Sequence, residues 1–159
     1  MPPLAFEPWR NDLALAAIWV LIQVAAITGW RREELLSRKW KYVDRDEGFL
    51  RIGKYETKGK KAREFPLIPT LLKVLDWQDE RRRQVRRRTG RIVTALFFHD
   101  DGRPIEGFRR SWKKALKAAH CDRRLFHDFR RTAVSSLTAA RIPKQTAKKL
   151  SGHVAHSVR

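Results

Sequence analysis

The longest apolar run of the chain extends from Leu13 to Ile27, interrupted only by Gln23. With Thr28 it makes a stretch of good helix formers that is apolar almost all round, and such a helix is normally buried inside a core. Asn11 or Asp12 supplies an N-cap, and Gly29 ends the helix. A second helix is expected over residues 32–39. It turns Leu35 and Leu36 inward and places Glu33 and Glu34 in the first turn, where the helix dipole favours carboxylates.

Past Trp40 the hydrophobic period shortens. Residues 42–44, 49–52 and 63–67 are brief, partly alternating segments separated by Asp-Glu-Gly and Lys-Gly-Lys-Lys turns, which predict a small antiparallel sheet. Pro69 opens a helix running toward Arg88, apolar at Leu71, Leu72, Leu75 and Val85. Residues 96–98 form a short apolar segment and 100–102 a turn. Helices are expected over 105–119, 127–140 and 143–150. The whole pattern predicts a mixed fold, mainly α, with a small three-stranded antiparallel β-sheet.

Composition narrows the partners. With 159 residues, 42% hydrophobic and six tryptophans, the chain can bury a real core as one domain. Lys and Arg number 36 against 17 acidic residues, a net charge of +19. A folded domain with that surplus repels itself unless a polyanion is its normal partner, and nucleic acid is the first candidate. An anionic membrane surface is the second, although the apolar run falls short of the ~20 residues that span a bilayer. No leader for export is expected, and the single cysteine, Cys121, excludes an internal disulfide and suits a reducing cytoplasm. His120 beside Cys121 has no second Cys/His cluster at ligand spacing, so neither a metal nor another cofactor is expected. Residues 1–9, with three prolines, read as a linker remnant, and residues 10–159 as a single domain. The basic run from Arg81 to Arg91 suits a solvated helix end or contact with phosphates.

Four places carry candidate chemistry. His127 and Arg130 stand three apart, one turn apart on a helix face, and pair a titrating imidazole with a planar fork of donors suited to phosphate. Thr28-Gly29-Trp30-Arg31 sets an Arg at a helix start, an anion-binding setting, with Glu34 placed to hold its guanidinium. Lys58 lies at the tip of a hairpin, with Lys60 and Lys61 as close alternatives, and Gly152-His153 follows a helix end.

Taken in chain order, the four places resemble the signature of the tyrosine recombinases, or phage-type integrases: T-G-x-R-x-x-E-L, a hairpin Lys, H-x-x-R, and a later G-H. The resemblance runs from about residue 10 to the end. It implies the catalytic-domain fold of that family, duplex DNA as partner, a tetramer on DNA for the full-length protein, and a cytoplasmic, prokaryotic or phage-encoded origin. It also implies breakage and rejoining of DNA through a 3′-phosphotyrosine. Arg31 and Arg130 would then stabilise charge on the phosphate, and Lys58 would protonate the leaving oxygen. His127 would assist proton transfer at the nucleophile, and His153 would donate a hydrogen bond to the phosphate. On that reading the loss of Arg130 removes activity while largely sparing stability.

The sequence departs from the family at the nucleophile, which the family places shortly after the last His, past Arg159. The only tyrosines are Tyr42 and Tyr55, both expected to pack in the sheet region. The chain is therefore expected to bind DNA without cleaving it, as a catalytic domain lacking both its tyrosine segment and the N-terminal core-binding domain. A cleavage-incompetent regulator or paralogue is the alternative from the binding class. A type IB topoisomerase, with similar Arg, Lys and His chemistry, is the alternative enzyme.

Overall fold

Helix α1 (Leu13–Thr28) is the axis of the molecule. Ala17, Ile18, Val20, Leu21, Val24 and Ala25 are all buried, and Trp19, Ile22 and Ile27 pack at the margin of the same core. So wide an apolar surface needs cover on several sides, and helices α3, α4 and α5, defined below, supply it. The computed structural model describes residues 13–56, 61–122 and 124–152; the expected linker and N-cap therefore lie outside the described residues.

Helix α2 (Arg32–Leu36) stops short of the expected residue 39. The cause is Arg38, whose side chain is fully buried. Its Nε donates to the Glu34 carbonyl (2.8 Å), Nη1 to the Arg51 carbonyl (2.9 Å) and to Glu56 Oε2 (3.1 Å), and Nη2 pairs with Glu56 Oε1 (3.0 Å). A buried guanidinium is tolerable only with such a set of partners, and turning it inward takes the chain out of the helix. Leu35 is buried as expected, whereas Leu36 is only half-buried. Residues Trp40–Tyr42 make a 3₁₀ turn, so Tyr42 lies outside the sheet and donates its hydroxyl to Glu56 (3.0 Å). Tyr55, also expected to pack in the sheet region, is instead 85% exposed.

Strands β1 (Val43–Asp44), β2 (Phe49–Ile52) and β3 (Arg63–Pro66) form the antiparallel sheet in the order β1-β2-β3. Leu50 opposes Phe65 and Ile52 opposes Arg63 on the inward face. Arg51, on the outward face, pairs with Asp44 and with Glu64 (2.8 Å). Period-2 alternation fixes this register, because a slip of one residue would turn Leu50 and Ile52 to solvent.

Helix α3 (Pro69–Thr89) starts at proline and ends at the left-handed Gly90, burying Leu71, Val74, Leu75, Gln78 and Val85. Part of the basic run on its second half is structural. Arg81 stacks between Trp77 and Phe98 at 5.3 and 5.1 Å from the ring centres, and Arg88 pairs with Asp100 (3.0 Å). Helix α4 (Arg109–Ala118) begins later than residue 105, because Ile105 continues extended pairing with the Phe97 carbonyl (3.1 Å). Helices α5 (Asp128–Ala139) and α6 (Lys144–Ser151) follow close to their expected bounds and pack on each other. Phe108, Trp112, Phe126 and Phe129 form the aromatic cluster that seats α4 against the start of α5.

Candidate active site

The end of α1 is stitched into the cleft between α5 and α6. Thr28, buried, donates its hydroxyl to the Val24 carbonyl (2.8 Å) and accepts the Trp30 N–H (3.2 Å). Gly29 adopts φ +66°, and a Cβ there would lie 2.9 Å from the Ala133 Cβ and 3.1 Å from the Ser151 Cβ. Trp30, also buried, donates Nε1–H to the Leu150 carbonyl (2.8 Å) and meets Phe65 edge-on. Arg31 then opens α2. Its N–H donates to Glu34 Oε2 (2.9 Å) and its Nη1 to Glu34 Oε1 (3.1 Å), so the carboxylate fixes both its backbone and its head group.

Arg130 comes from the first turn of α5 and is 3% exposed. Its Nη1 donates to the Gly29 carbonyl (3.3 Å) and its Nη2 to the Gly152 carbonyl. Gly152 ends α6 in the left-handed region. Three of the four sequence places therefore meet at one point: Thr28–Arg31, Arg130, and the Ser151-Gly152 turn. Glu34, 4% exposed, holds Arg31 as expected. His127 is the N-cap residue of α5 and is exposed, as is Lys61. Lys58, Lys60 and His153 lie outside the described residues.

One participant lies outside the four sequence places. Arg63, at the start of β3, faces inward opposite Ile52, and its Nη2 lies 2.5 Å from Glu34 Oε1. The signal was present in the sequence: in Arg63-Glu64-Phe65 the arginine shares a face with the core residue Phe65.

The electrostatics favour an anion. Three guanidinium groups, of Arg31, Arg63 and Arg130, surround the single carboxylate of Glu34. Burial, and after it the positive charges of Arg31 and Arg63 against the attraction of Glu34, push Arg130 down to about 10. A negatively charged ligand would relieve that strain through charge-assisted hydrogen bonds. Arg31, 35% exposed in its side chain, is the member that opens to solvent.

Glu34 carries a pH signature. Burial raises its pKa, but Arg63 and the Arg31 N–H together outweigh burial and hold the carboxylate below its ordinary 4.5. A carboxylate depressed in the folded state stabilises the fold above its unfolded pKa and loses that contribution as pH falls through the folded value. Thermal melting followed from pH 6 to pH 3 is therefore expected to show a loss of stability below about 4.5. Glu34→Gln should flatten that part of the curve; an unchanged curve would show that other carboxylates carry the acid sensitivity.

Among the described residues, no group of three or more His, Cys, Asp or Glu gathers as a metal site, and no helix is long and apolar enough to cross a membrane. The sequence model of the phage integrase family matches residues 10–158. The chain belongs to that family. Solved structures show that this chain also shares the family's fold. The lambda integrase catalytic core superposes with a TM-score of 0.67 at 19% identity, covering 91% of this chain and 88% of that one. XerA recombinase gives 0.67 at 20% identity, over 92% of this chain and 50% of its own. The Tn1549 transposon integrase, solved with circular intermediate DNA, gives 0.65 at 15% identity over 99% and 59%. The chain thus spans most of the lambda core but only about half the length of XerA recombinase. A comparison with curated protein sequences gives no match.

Proposed function

We propose that residues 10–159 are the catalytic domain of a site-specific recombinase that breaks and rejoins duplex DNA through a 3′-phosphotyrosine. The observation that carries this reading is the meeting of Arg130, Arg31, Glu34 and the glycine carbonyls at one point of the fold. In the reaction a tyrosine hydroxyl attacks the phosphorus, the deoxyribose 5′-oxygen leaves, and a second 5′-hydroxyl later reverses the step. The chemical demand is to hold added negative charge on the non-bridging oxygens, and preorganised guanidinium forks meet it in a water-poor site. Arg31 and Arg130 take that role. Lys58 protonates the leaving oxygen, with Lys60 and Lys61 beside it on the DNA, His127 assists proton transfer at the nucleophile, and His153 donates to the phosphate. In a full-length protein an N-terminal domain would grip the other face of the duplex, and four copies would assemble on DNA.

The positions of the tyrosines support a binding reading for the 159 residues taken alone. Tyr42 spends its hydroxyl on Glu56, and Tyr55 is on the surface; neither belongs to the cluster around Arg130. DNA binding without cleavage is thus the expected behaviour of these residues, whether they serve a recombinase or a regulator that occupies DNA sites. Joining a C-terminal segment with a tyrosine separates the two: a covalent protein–DNA adduct supports the enzyme, and its absence supports the regulator.

The first test is a salt titration of duplex binding. If the protein neutralises six to ten phosphates, affinity should fall roughly 10³- to 10⁵-fold between about 50 and 200 mM salt. Replacing Arg31 by alanine should weaken binding and make the log–log slope shallower by about one. A flat titration would overturn the DNA reading.

A further inference from the structure

We propose that Arg63 is a positioning residue of this site: it holds Glu34, and through Glu34 it holds Arg31 in the setting a phosphodiester requires, in a space that only a glycine at 152 leaves open. The proposal rests on the recombinase reading and assigns a residue that the signature motifs do not contain.

The placement of Arg63 is unusual for its strand. In an alternating strand the position opposite Ile52 and on the same face as Phe65 is a core position. A charged residue there is tolerated only with a strong partner. That partner is Glu34, whose Oε1 lies 2.5 Å from Arg63 Nη2 and 3.1 Å from Arg31 Nη1. One carboxylate oxygen therefore serves both guanidinium groups. The Arg63 side chain is 10% exposed, its guanidinium lies 5.8 Å from the Trp30 ring centre, and its Nη1 has no hydrogen-bond partner among the described residues. Its Nη1 lies against the Gly152 α-carbon, where a Cβ would stand 1.7 Å from it. Arg63 thus connects β3, the start of α2 and the end of α6, the same elements whose residues surround Arg130.

Arg63 turns its Nη2 to Glu34 Oε1, whereas the Arg31 side chain is 35% exposed, which separates the two roles. The effect of Arg63 on DNA should pass through Arg31, and non-additivity detects that. The probe is a mixed-sequence DNA duplex, and the proteins are the 159-residue chain and its Arg63→Met, Arg31→Ala and double variants, with Arg63→Lys as the conservative form. Arg63→Met alone is expected to weaken binding about tenfold, the scale of one charge-assisted contact. Placed on Arg31→Ala it should add less than about twofold, since the contact it supports is already gone. Arg63→Lys, which keeps a cation beside Glu34, should recover part of the loss. Gly152→Ala should reproduce the Arg63→Met defect by displacing the guanidinium.

Equal losses in both backgrounds would overturn the proposal, because they would mean direct phosphate contact or a general effect on folding. So would Arg63→Met binding as tightly as the parent. If Arg31→Ala itself leaves duplex binding unchanged, the recombinase reading of the cleft fails instead. Circular dichroism melting of each variant, with binding measured well below its midpoint, keeps a folding defect from passing as lost positioning.

Discussion

Arg130→Ala, made in a chain that includes a nucleophilic tyrosine, is expected to lower strand cleavage by about 10²- to 10³-fold, the scale measured for removing one preorganised donor from an oxyanion site. The structure adds a cost that the sequence did not suggest. The resemblance alone implies that stability is largely spared. In the fold, its Nη1 and Nη2 satisfy the carbonyls of Gly29 and Gly152, and the side chain is almost wholly buried. Truncation leaves both carbonyls without that donor, at roughly 1–3 kcal/mol for a buried group. Against this, the repulsion from Arg31 and Arg63 disappears, together with the cost of burying a charge. The two effects oppose each other, and a net loss of about 1–2 kcal/mol is expected. Arg130→Lys separates the roles. It keeps a positive charge but loses the planar fork that spans two carbonyls, so melting should recover more than cleavage does. Single-turnover cleavage of a duplex, measured beside thermal melting, checks both parts; retained cleavage by Arg130→Ala would remove this residue from the chemistry.

The sequence shows most clearly those features that local rules govern. Helix α1 is legible because an apolar run broken only by Gln23 meets a glycine after Thr28. The alternation of Leu50, Arg51 and Ile52 predicts a half-buried strand, and β2 has that pattern. Pro69 and Gly90 bracket α3 by ordinary capping chemistry. Local rules fail where a long-range partner decides. Arg38 falls within the helix expected over residues 32–39, yet Glu56 and the Arg51 carbonyl, farther along the chain, pull it into the core and end α2 early. Ile105 reads as a helix start but is captured by the Phe97 carbonyl. The same distinction applies to the site. Arg31, Glu34 and Arg130 are visible through their motif spacing, whereas Arg63 has no neighbour in sequence that hints at Glu34. Strand alternation turns Arg63 to the face of Phe65, but its pairing with Glu34 emerges only when the sheet meets α2.

Gly29→Ala should be among the most damaging single methyl additions to this chain. Two separate penalties fall on it. The φ of +66° lies in the left-handed region, where a Cβ costs on the order of 1 kcal/mol. The added carbon would also stand 2.9 Å from the Ala133 Cβ and 3.1 Å from the Ser151 Cβ, closer than such atoms normally approach, so α5 and α6 must move away. Overpacking of that kind costs about 1–3 kcal/mol. Together the penalties come to roughly 2–4 kcal/mol, which for a domain of this size lowers the melting temperature by roughly 5–15 °C. Moving α5 and α6 also moves Arg130 and the Leu150 carbonyl that holds Trp30, so DNA affinity should fall along with stability. Gly48→Ala is the matched control. Its φ is +78°, but nothing lies within 4 Å of the added carbon, so only the backbone penalty applies. The difference between the two variants isolates the contact of the α1 terminus with α5 and α6. If both lose the same stability and DNA binding is untouched, the end of α1 is not wedged between those helices, and the convergence of the Thr28–Arg31 motif on Arg130 loses its structural basis.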